Sequence, residues 1–353
     1  MSSQLLYKTK PLFGLDIGFS SLKVMQIQQS NKGYSVSGYG VASFDSSMIR
    51  DGVIVNPIGL AKTLQELFHN GLVGDITTHR VTIAIPASKT YNRAVTLPTL
   101  NKKELDQAIH TEAEQYIPMP IDDLYLDYEI LRTTPEDTEV LIVATPKKVV
   151  DSYMSFAELA GLEVASIETT IAADSRLFFQ AEENDIPTVL LDFGSLSSDI
   201  TIFDKQLVVT GTVPGGGDNF TEQISKTLNV SKREAYIIKT KYGLGLSKKQ
   251  KEIKESLHPI LSQIVKEIRR VIRYFEERSE DGKKIGQVIT LGGGANMPGL
   301  SDYMTSELRI PVRMCDPWQR LTFGELQPPN TSEKTMYITV AGLALMDPSE
   351  IYS

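Results

Sequence analysis

Two segments of the sequence place an aspartate, a glycine and serine hydroxyls in the same order directly after an apolar run. They are Leu15–Lys23 and Leu191–Asp199, and their aspartates, Asp16 and Asp192, lie 192 − 16 = 176 residues apart. Backbone N–H groups of a tight turn converge on an anion, and serine hydroxyls add further donors. A strand-end aspartate can hold Mg²⁺, directly or through water. The two segments therefore predict two hairpins that bind a metal–polyphosphate from opposite sides.

Each hairpin supplies candidate ligands of a defined kind. Asp16 and Asp192 are the candidates for holding the metal, and Lys23 could neutralise phosphate charge at the end of the first turn. Asp199 is expected to orient the second turn rather than to touch the ligand. An ordinary β-turn with a capped aspartate remains the alternative for each segment taken alone. The predicted phosphate donors are Gly18, Ser20, Ser21, Gly194, Ser195 and Ser198.

Two glycine triplets follow apolar runs in the second half of the sequence. The first precedes a predicted helix, whose N-terminal amides and dipole favour phosphate. The second lacks side chains where a flat base or a ribose could approach closely. A tight turn with no ligand is the alternative for each triplet alone, but four glycine elements in this order favour a nucleotide. The triplets are Gly215, Gly216 and Gly217, and then Gly292, Gly293 and Gly294.

Length, charge and cysteine content limit the class of protein. A chain of 353 residues is expected to form two or more domains. Its formal charge of −8 argues against nucleic acid or anionic lipid as the main partner. Cys315 alone cannot form an intrachain disulfide and fits a reducing cytosol. The sequence shows no apolar signal peptide and no apolar run of membrane-spanning length. Its four scattered histidines argue against a zinc site or a Ser-His-Asp triad.

The predicted elements repeat the same layout on either side of an insert. A strand–turn–strand meander opens the chain and returns from Thr188, which suggests two homologous halves. Residues 81–165 read as a self-contained α/β insert with two helices on a small sheet. An apolar stripe from Leu257 to Phe275 has helical spacing and is predicted to be core, not a membrane face.

The order of these motifs resembles the actin/Hsp70/sugar-kinase superfamily. Within it, Gly14–Lys23, Glu112–Pro118 and Val213–Asp218 look like the PilM family of type IV pilus assembly, and the resemblance covers nearly the whole chain. The division protein FtsA is the nearest competitor. FtsA normally carries a C-terminal amphipathic membrane helix, whereas Tyr337–Met346 is short and apolar, which favours PilM.

The resemblance implies an α/β, actin-like (ribonuclease H-like duplicated) fold with an inserted 1C-type subdomain. The expected subdomains are 1A at 1–80, 166–187 and 330–353, 1C at 81–165, 2A at 188–215 and 286–329, and helical 2B at 216–285. ATP and Mg²⁺ would be bound between the halves. By the same similarity, Glu234 and Lys239 reach ribose or adenine, with a solvated helix face as the alternative, and Glu168 positions a hydrolytic water.

The resemblance also implies a role and a partner. The expected function is a cytoplasmic scaffold of the type IV pilus inner-membrane complex, peripheral to the membrane through its partners and without direct insertion. It would bind the N-terminal cytoplasmic peptide of a PilN-type membrane protein, with Tyr116, Ile117 and Met119 forming part of the groove wall. Other pilus assembly proteins are expected partners, and self-association stays open. An ATPase or kinase of the superfamily is the alternative, and ATP hydrolysis is expected to be slow if it occurs.

Overall fold

The structure is a computed structural model that describes residues 10–30, 33–181, 186–204, 206–279, 282–331 and 333–347. These residues divide into two compact units. Within the described ranges, the first unit comprises residues 10–25, 38–170 and 346–347, and the second comprises 26–37 and 171–345.

The chain begins as a strand meander followed by alternating strands and helices. In order, the elements up to residue 169 are β1 (Phe13–Ile17), β2 (Ser21–Ser30), β3 (Gly33–Ser43), β4 (Ile49–Arg50), β5 (Val53–Ile54), α1 (Pro57–Asn70), β6 (Leu72–Gly74), β7 (Arg80–Ile85), β8 (Tyr91–Pro98), α2 (Lys102–Tyr116), β9 (Leu124–Thr133), β10 (Asp137–Pro146), α3 (Lys147–Leu159) and β11 (Glu163–Thr169).

The remaining elements repeat that meander and then become mainly helical. They are α4 (Thr170–Ala181), β12 (Thr188–Phe193), β13 (Ser197–Asp204), β14 (Gln206–Pro214), α5 (Gly217–Leu228), α6 (Lys232–Lys241), α7 (Gln250–Arg278), β15 (Gln287–Leu291), α8 (Leu300–Leu308), β16 (Val312–Met314), β17 (Leu321–Thr322) and α9 (Ile338–Ala344).

The two large sheets share one strand order. The first runs β11-β7-β1-β2-β3-β17, and the second runs β16-β15-β12-β13-β14. In each sheet the central strand, β1 or β12, pairs antiparallel with the strand that follows it and parallel with a strand from later in the chain. The match of β3-β2-β1-β7-β11 to β14-β13-β12-β15-β16 confirms the duplicated fold predicted from the recurring meander.

Part of the segment predicted as an insert, residues 81–165, pairs with the first large sheet. β8, β10 and β9 form a separate three-stranded sheet, covered by α2. However, β7 and β11 belong to the first large sheet, where they pair in parallel with each other. α3 contributes Tyr153 and Phe156 to the core around Leu15 and Ile17. The separate sheet therefore spans residues 91–146, and β7 and β11, on either side of it in the chain, pair in the first large sheet.

The long helix α7 forms the core layer of the second unit. Leu257, Leu261, Ile264 and Ile268 are fully buried and lie in one apolar cluster with residues of β12 and β13. The helix contacts β13 and β14 along its length. The stripe predicted to be core is therefore core, and it lies in the same apolar cluster as residues of the second sheet.

Candidate functional site

The first aspartate hairpin is closed by its own backbone. The Gly18 N–H donates to the Ser21 carbonyl at 2.9 Å, which makes the turn between β1 and β2 tight. The Phe44 N–H donates to the Ser20 carbonyl at 2.9 Å and fixes the turn to the end of β3. Ser20 and Ser21 are half-buried, so the turn remains partly open to solvent. This hairpin can present backbone and hydroxyl donors to an anion.

Asp16 forms a buried ion pair in this hairpin. Lys23 lies directly across the two strands and donates from Nζ to Asp16 Oδ2 at 2.7 Å. Their side chains are only 11% and 10% exposed. The lysine expected to neutralise phosphate is therefore bonded to the aspartate expected to hold the metal. Binding of a metal at Asp16 would have to compete with Lys23 or share the carboxylate with it.

Glu168 occupies the same row of the first sheet as Asp16. Ala84 on β7 pairs with Asp16 on one side and with Glu168 on the other. In-register residues of neighbouring strands share a face, and two strand spacings amount to about 10 Å. Glu168 is half-buried at this level of the sheet. The structure therefore brings the expected water-positioning residue onto the face that carries Asp16.

The second hairpin surrounds a small cavity with carboxylates. Asp192 on β12 lies across from Asp199 on β13, and Asp174 on α4 lines the same cavity. Ile171, Leu190, Thr201 and Leu291 complete its wall, and it has room for about one water molecule. Burial raises the pKa of Asp199 to about 6, although its hydrogen bond from the Thr212 hydroxyl acts in the opposite direction.

Asp174 was not identified from the sequence. Its side chain is buried and accepts a hydrogen bond from the Thr339 hydroxyl at 2.8 Å. It lies between Ile171 and Leu177 on α4, at helical spacing from both. An acid among the apolar residues of α4, at helical spacing from them, is the signal that could have marked it.

The Gly215–Gly217 triplet is bonded to the second hairpin rather than open. Gly215 N–H donates to the Leu196 carbonyl at 2.9 Å, and Gly217 N–H donates to the Gly194 carbonyl at 2.8 Å. Gly216 N–H donates to Asn219 Oδ1 at 3.0 Å. The expectation that this triplet presents bare amides is therefore wrong in this structure. A Cβ on Gly216 would lie 2.4 Å from the Gly194 carbonyl oxygen, so close packing explains the glycine.

Two other predicted residues of this region also turn inward. The Ser198 hydroxyl is fully buried and donates to the Gly215 carbonyl at 2.7 Å, whereas Gly194 and Ser195 are half-buried at the turn. Lys239 donates from Nζ to the Gly217 carbonyl at 2.7 Å, and burial lowers its pKa. The structure thus places Ser198 inside the protein, and Lys239 hydrogen-bonds to the first residue of α5.

The Gly292–Gly294 triplet packs against the second hairpin and lies near the first triplet. Gly292 has φ +80°, and a Cβ there would overlap Asp192 Oδ1. Gly294 packs against Phe193 and lies near the Gly217 amide, while Gly293 is exposed. The second hairpin and both triplets therefore meet at the end of β12.

Glu234 has a local structural role. Its carboxylate accepts from the Ser231 N–H at 3.0 Å and from the Ser231 hydroxyl at 2.8 Å, which forms a capping box at the start of α6. These bonds hold the pKa of Glu234 below its usual range. The Ser-x-x-Glu pattern predicts this cap, a signal that the ribose interpretation overlooked.

The donor set suits a hard cation more than a transition metal. The candidate ligands are carboxylates and hydroxyls, which Mg²⁺ prefers, and Mg²⁺ usually takes one or two carboxylates together with substrate phosphates. Across the described residues, no group of three or more His, Cys, Asp or Glu side chains could hold a metal alone. A metal at Asp16 or Asp192 would therefore rely on a polyphosphate for further ligands. Within the same residues, no helix has the length and apolar character to cross a bilayer.

Comparisons with known proteins agree with this fold. The solved PilM–PilN type IV pilus biogenesis complex matches with a TM-score of 0.83 at 23% identity, covering 95% of this chain and 98% of that chain. MreB5 of Spiroplasma citri bound to AMPPNP matches with a TM-score of 0.53 at 14% identity, covering 95% of each chain. FtsA of Streptococcus pneumoniae is 23% identical over 87% of this chain and 75% of that protein.

A family model described as type IV pilus assembly protein PilM matches residues 14–347, which is nearly the whole sequence. The duplicated sheets and their paired aspartate hairpins are the features expected of an actin-like protein of this kind. The chain belongs to the PilM family of type IV pilus assembly proteins.

Proposed function

We propose that this protein is a cytoplasmic ATP-binding scaffold of the type IV pilus inner-membrane assembly complex. The observation that carries the nucleotide part is the repetition of one hairpin geometry. A Cβ on Gly18 would meet the Ser21 carbonyl oxygen at 3.2 Å, and one on Gly194 would meet the Ser197 carbonyl oxygen at 3.0 Å. Each hairpin thus keeps an aspartate before an equally tight turn, and each is proposed to contribute to holding Mg-ATP.

The roles follow from what each side chain already contacts. Asp16 and Asp192 are proposed to hold Mg²⁺, which would neutralise phosphate charge when bound. Ser20, Ser21, Gly194 and Ser195 remain partly accessible at the turns and are the proposed phosphate donors. Exposed Gly293 leaves space for a base or ribose. The MreB5 structure with AMPPNP supports a nucleotide on this fold.

The nucleotide proposal is tested by calorimetry on the full chain. Asp192→Asn is expected to weaken Mg-ATP binding at least tenfold, whereas Asp302→Asn, an exposed aspartate on α8, should leave it unchanged. Omitting Mg²⁺ should reproduce the loss in the wild type. Equal affinity for ATP in the wild type, Asp192→Asn and metal-free samples would contradict the metal assignment.

The partner is proposed to be the cytoplasmic N-terminal peptide of a PilN-type membrane protein. The solved PilM–PilN complex supports a partner of this type, which would keep the protein at the inner face of the membrane. In the separate sheet, β8 and β9 are both edge strands, and an extended peptide can add to such an edge. Ile117 is buried in the core of this subdomain, whereas Tyr116 and Met119 are half-buried and remain candidates for the groove.

A matched pair of methionine substitutions tests the peptide site. A fluorescent PilN-type N-terminal peptide should bind the wild type, and a scrambled peptide should not. Met119→Ala is expected to weaken binding about tenfold. Met154→Ala, on α3, removes a more exposed methionine and should leave binding unchanged. Peptide binding that is insensitive to sequence scrambling would contradict the proposal.

A further inference from the structure

One segment of this acidic protein is strongly basic. Residues 232–254 contain eight Lys and Arg and two Asp and Glu, a formal charge of 8 − 2 = +6. The whole chain carries −8, so the rest of the chain carries −8 − 6 = −14. Glu255, just beyond the segment, approaches Lys251 at 4.0 Å. The exposed basic side chains are Lys232, Arg233, Lys241, Lys248, Lys249, Lys251 and Lys254.

Large apolar side chains are exposed among these charges. Leu246 is 96% exposed, and Tyr236, Ile237 and Tyr242 are 54%, 50% and 41% exposed. Monomeric proteins do expose single apolar residues, whereas larger exposed apolar patches mark contact surfaces, and here four such side chains lie within eleven residues of the chain. We name residues 232–254 the basic–apolar surface.

The helix α6 directs these side chains outward. Its buried residues are Ala235 and Lys239, which face the core of the second unit. With 3.6 residues per turn, Arg233, Ile237 and Lys241 fall on the opposite side of the helix. The exposed face of α6 therefore carries both basic and apolar side chains.

The loop after α6 is anchored to the protein just before Leu246. Leu244 is buried, and its N–H donates to the Pro298 carbonyl at 2.7 Å. Its carbonyl accepts from Gln250 Nε2 at 2.8 Å. The backbone of Leu244 is thus fixed at both its N–H and its carbonyl, two residues before the 96% exposed Leu246.

We propose that the basic–apolar surface docks on an anionic lipid bilayer. The interface of such a bilayer accepts both kinds of group, because lysines near it are attracted to anionic headgroups while apolar side chains enter the acyl boundary. Lysine stems are long enough to keep the ammonium groups at headgroup level around an inserted leucine. A nucleic acid backbone would satisfy the lysines but leave Leu246 and Ile237 without an apolar partner.

Local charge explains why the whole-chain charge is misleading for this surface. Screening limits the reach of acidic groups to about 8–10 Å at physiological ionic strength, so only nearby acids, such as Glu222 beside Lys232, offset the +6 charge of this segment. A surface contact of this kind needs no membrane-spanning helix. It is independent of the nucleotide proposal, because none of its exposed groups takes part in the aspartate hairpins.

Vesicle flotation with the full chain tests the proposal. The wild type should float with vesicles of about 30% phosphatidylglycerol in phosphatidylcholine and not with pure phosphatidylcholine. Lys248→Glu with Lys249→Glu should weaken binding at least roughly 25-fold, at about fivefold for the loss of each lysine's positive charge and more for its reversal. Leu246→Ser should weaken it about tenfold. Raising the salt to about 0.5 M should release the wild type.

Matched controls separate the surface from general effects. Lys102→Glu with Lys103→Glu makes the same charge change at two exposed lysines of α2, and Leu159→Ser makes the same apolar change at an exposed leucine of α3. Both should bind vesicles as the wild type does. Equal losses in the control and test variants would overturn the proposal. The proposal would also be overturned if the protein did not bind anionic vesicles but bound a DNA duplex or an acidic polypeptide through Lys248 and Lys249.

Discussion

The buried pair of Asp16 and Lys23 makes a quantitative prediction about stability. The two groups lie across adjacent strands at 2.7 Å, with about a tenth of each side chain exposed. Removing one member leaves the other charge buried without its partner. Such a loss costs about 3–5 kcal/mol, while replacing both members with apolar or neutral groups of similar shape is often close to neutral.

The expected values follow from the choice of substitutions. Asp16→Asn keeps one acceptor for the lysine, so a loss of about 3 kcal/mol is expected, at the lower end of that range. Lys23→Met keeps the shape of the stem but leaves the carboxylate unpaired, and a similar loss of about 3 kcal/mol is expected. The double variant should lose much less than the sum, which gives a coupling free energy of about 2 kcal/mol or more.

Urea unfolding of the four proteins at neutral pH measures this coupling. The control cycle is the exposed pair of Lys62 and Glu66, which are 3.8 Å apart with 75% and 67% of their side chains exposed. Its coupling should stay below about 0.5 kcal/mol because water screens it. If the single variants at Asp16 and Lys23 each cost under about 1 kcal/mol and add without coupling, the argument from buried charge is refuted.

Three further changes test other parts of the two units by urea unfolding. Tyr153→Phe removes a fully buried hydroxyl that has no hydrogen-bond partner among the described residues, and it should be neutral or stabilising by up to about 1 kcal/mol; a clear loss of stability would contradict this. Burial raises the pKa of Asp199 from 3.8 to about 6, so the folded state favours its protonated form. The free energy of unfolding should therefore fall by up to about 3 kcal/mol as the pH rises from 4 to beyond 6. Asp199→Asn should therefore stabilise the protein at pH 7 and not at pH 4, while Asp302→Asn shows no such difference. Gly216→Ala should lower the free energy of unfolding by about 3 kcal/mol, because its Cβ would lie 2.4 Å from the Gly194 carbonyl oxygen. Gly211→Ala, whose Cβ would lie 3.5 Å from its nearest neighbour, should be nearly neutral. Equal effects of the two substitutions would contradict the packing argument.

The local patterns in the sequence were sufficient for the elements that carry the hairpins. The Asp-apolar-Gly order after Leu15 and Leu191 predicts strand ends and tight turns, because such turns depend on a few adjacent residues. The apolar stripe of α7 likewise predicts its buried face, since helical spacing is local. The duplication followed from comparing two local patterns, and the matching sheet orders confirm it.

Pairing between distant strands was beyond the reach of local patterns. β7 and β11 have the apolar character of strands, but nothing within them shows that they join the first large sheet rather than the insert. The inward bonds of Gly215 and Gly217 depend on carbonyl groups about twenty residues earlier in the chain. The sequence indicated glycine amides free to bind phosphate, and only the folded structure shows that the amides of Gly215 and Gly217 already donate to protein carbonyl groups.

One residue difference makes the two aspartate hairpins electrostatically unequal. In the register of each hairpin, Lys23 lies across from Asp16, while Asp199 lies across from Asp192. A cation approaching Asp16 meets a carboxylate already bonded to an ammonium group, whereas a cation approaching Asp192 meets a second acid across the strands. Asp192→Asn leaves no lysine unpaired across its hairpin, so its effect on Mg-ATP affinity does not include the cost of a buried, unpaired ammonium group. Asp16→Asn needs the Lys23→Met background before its effect on affinity can be read in the same way.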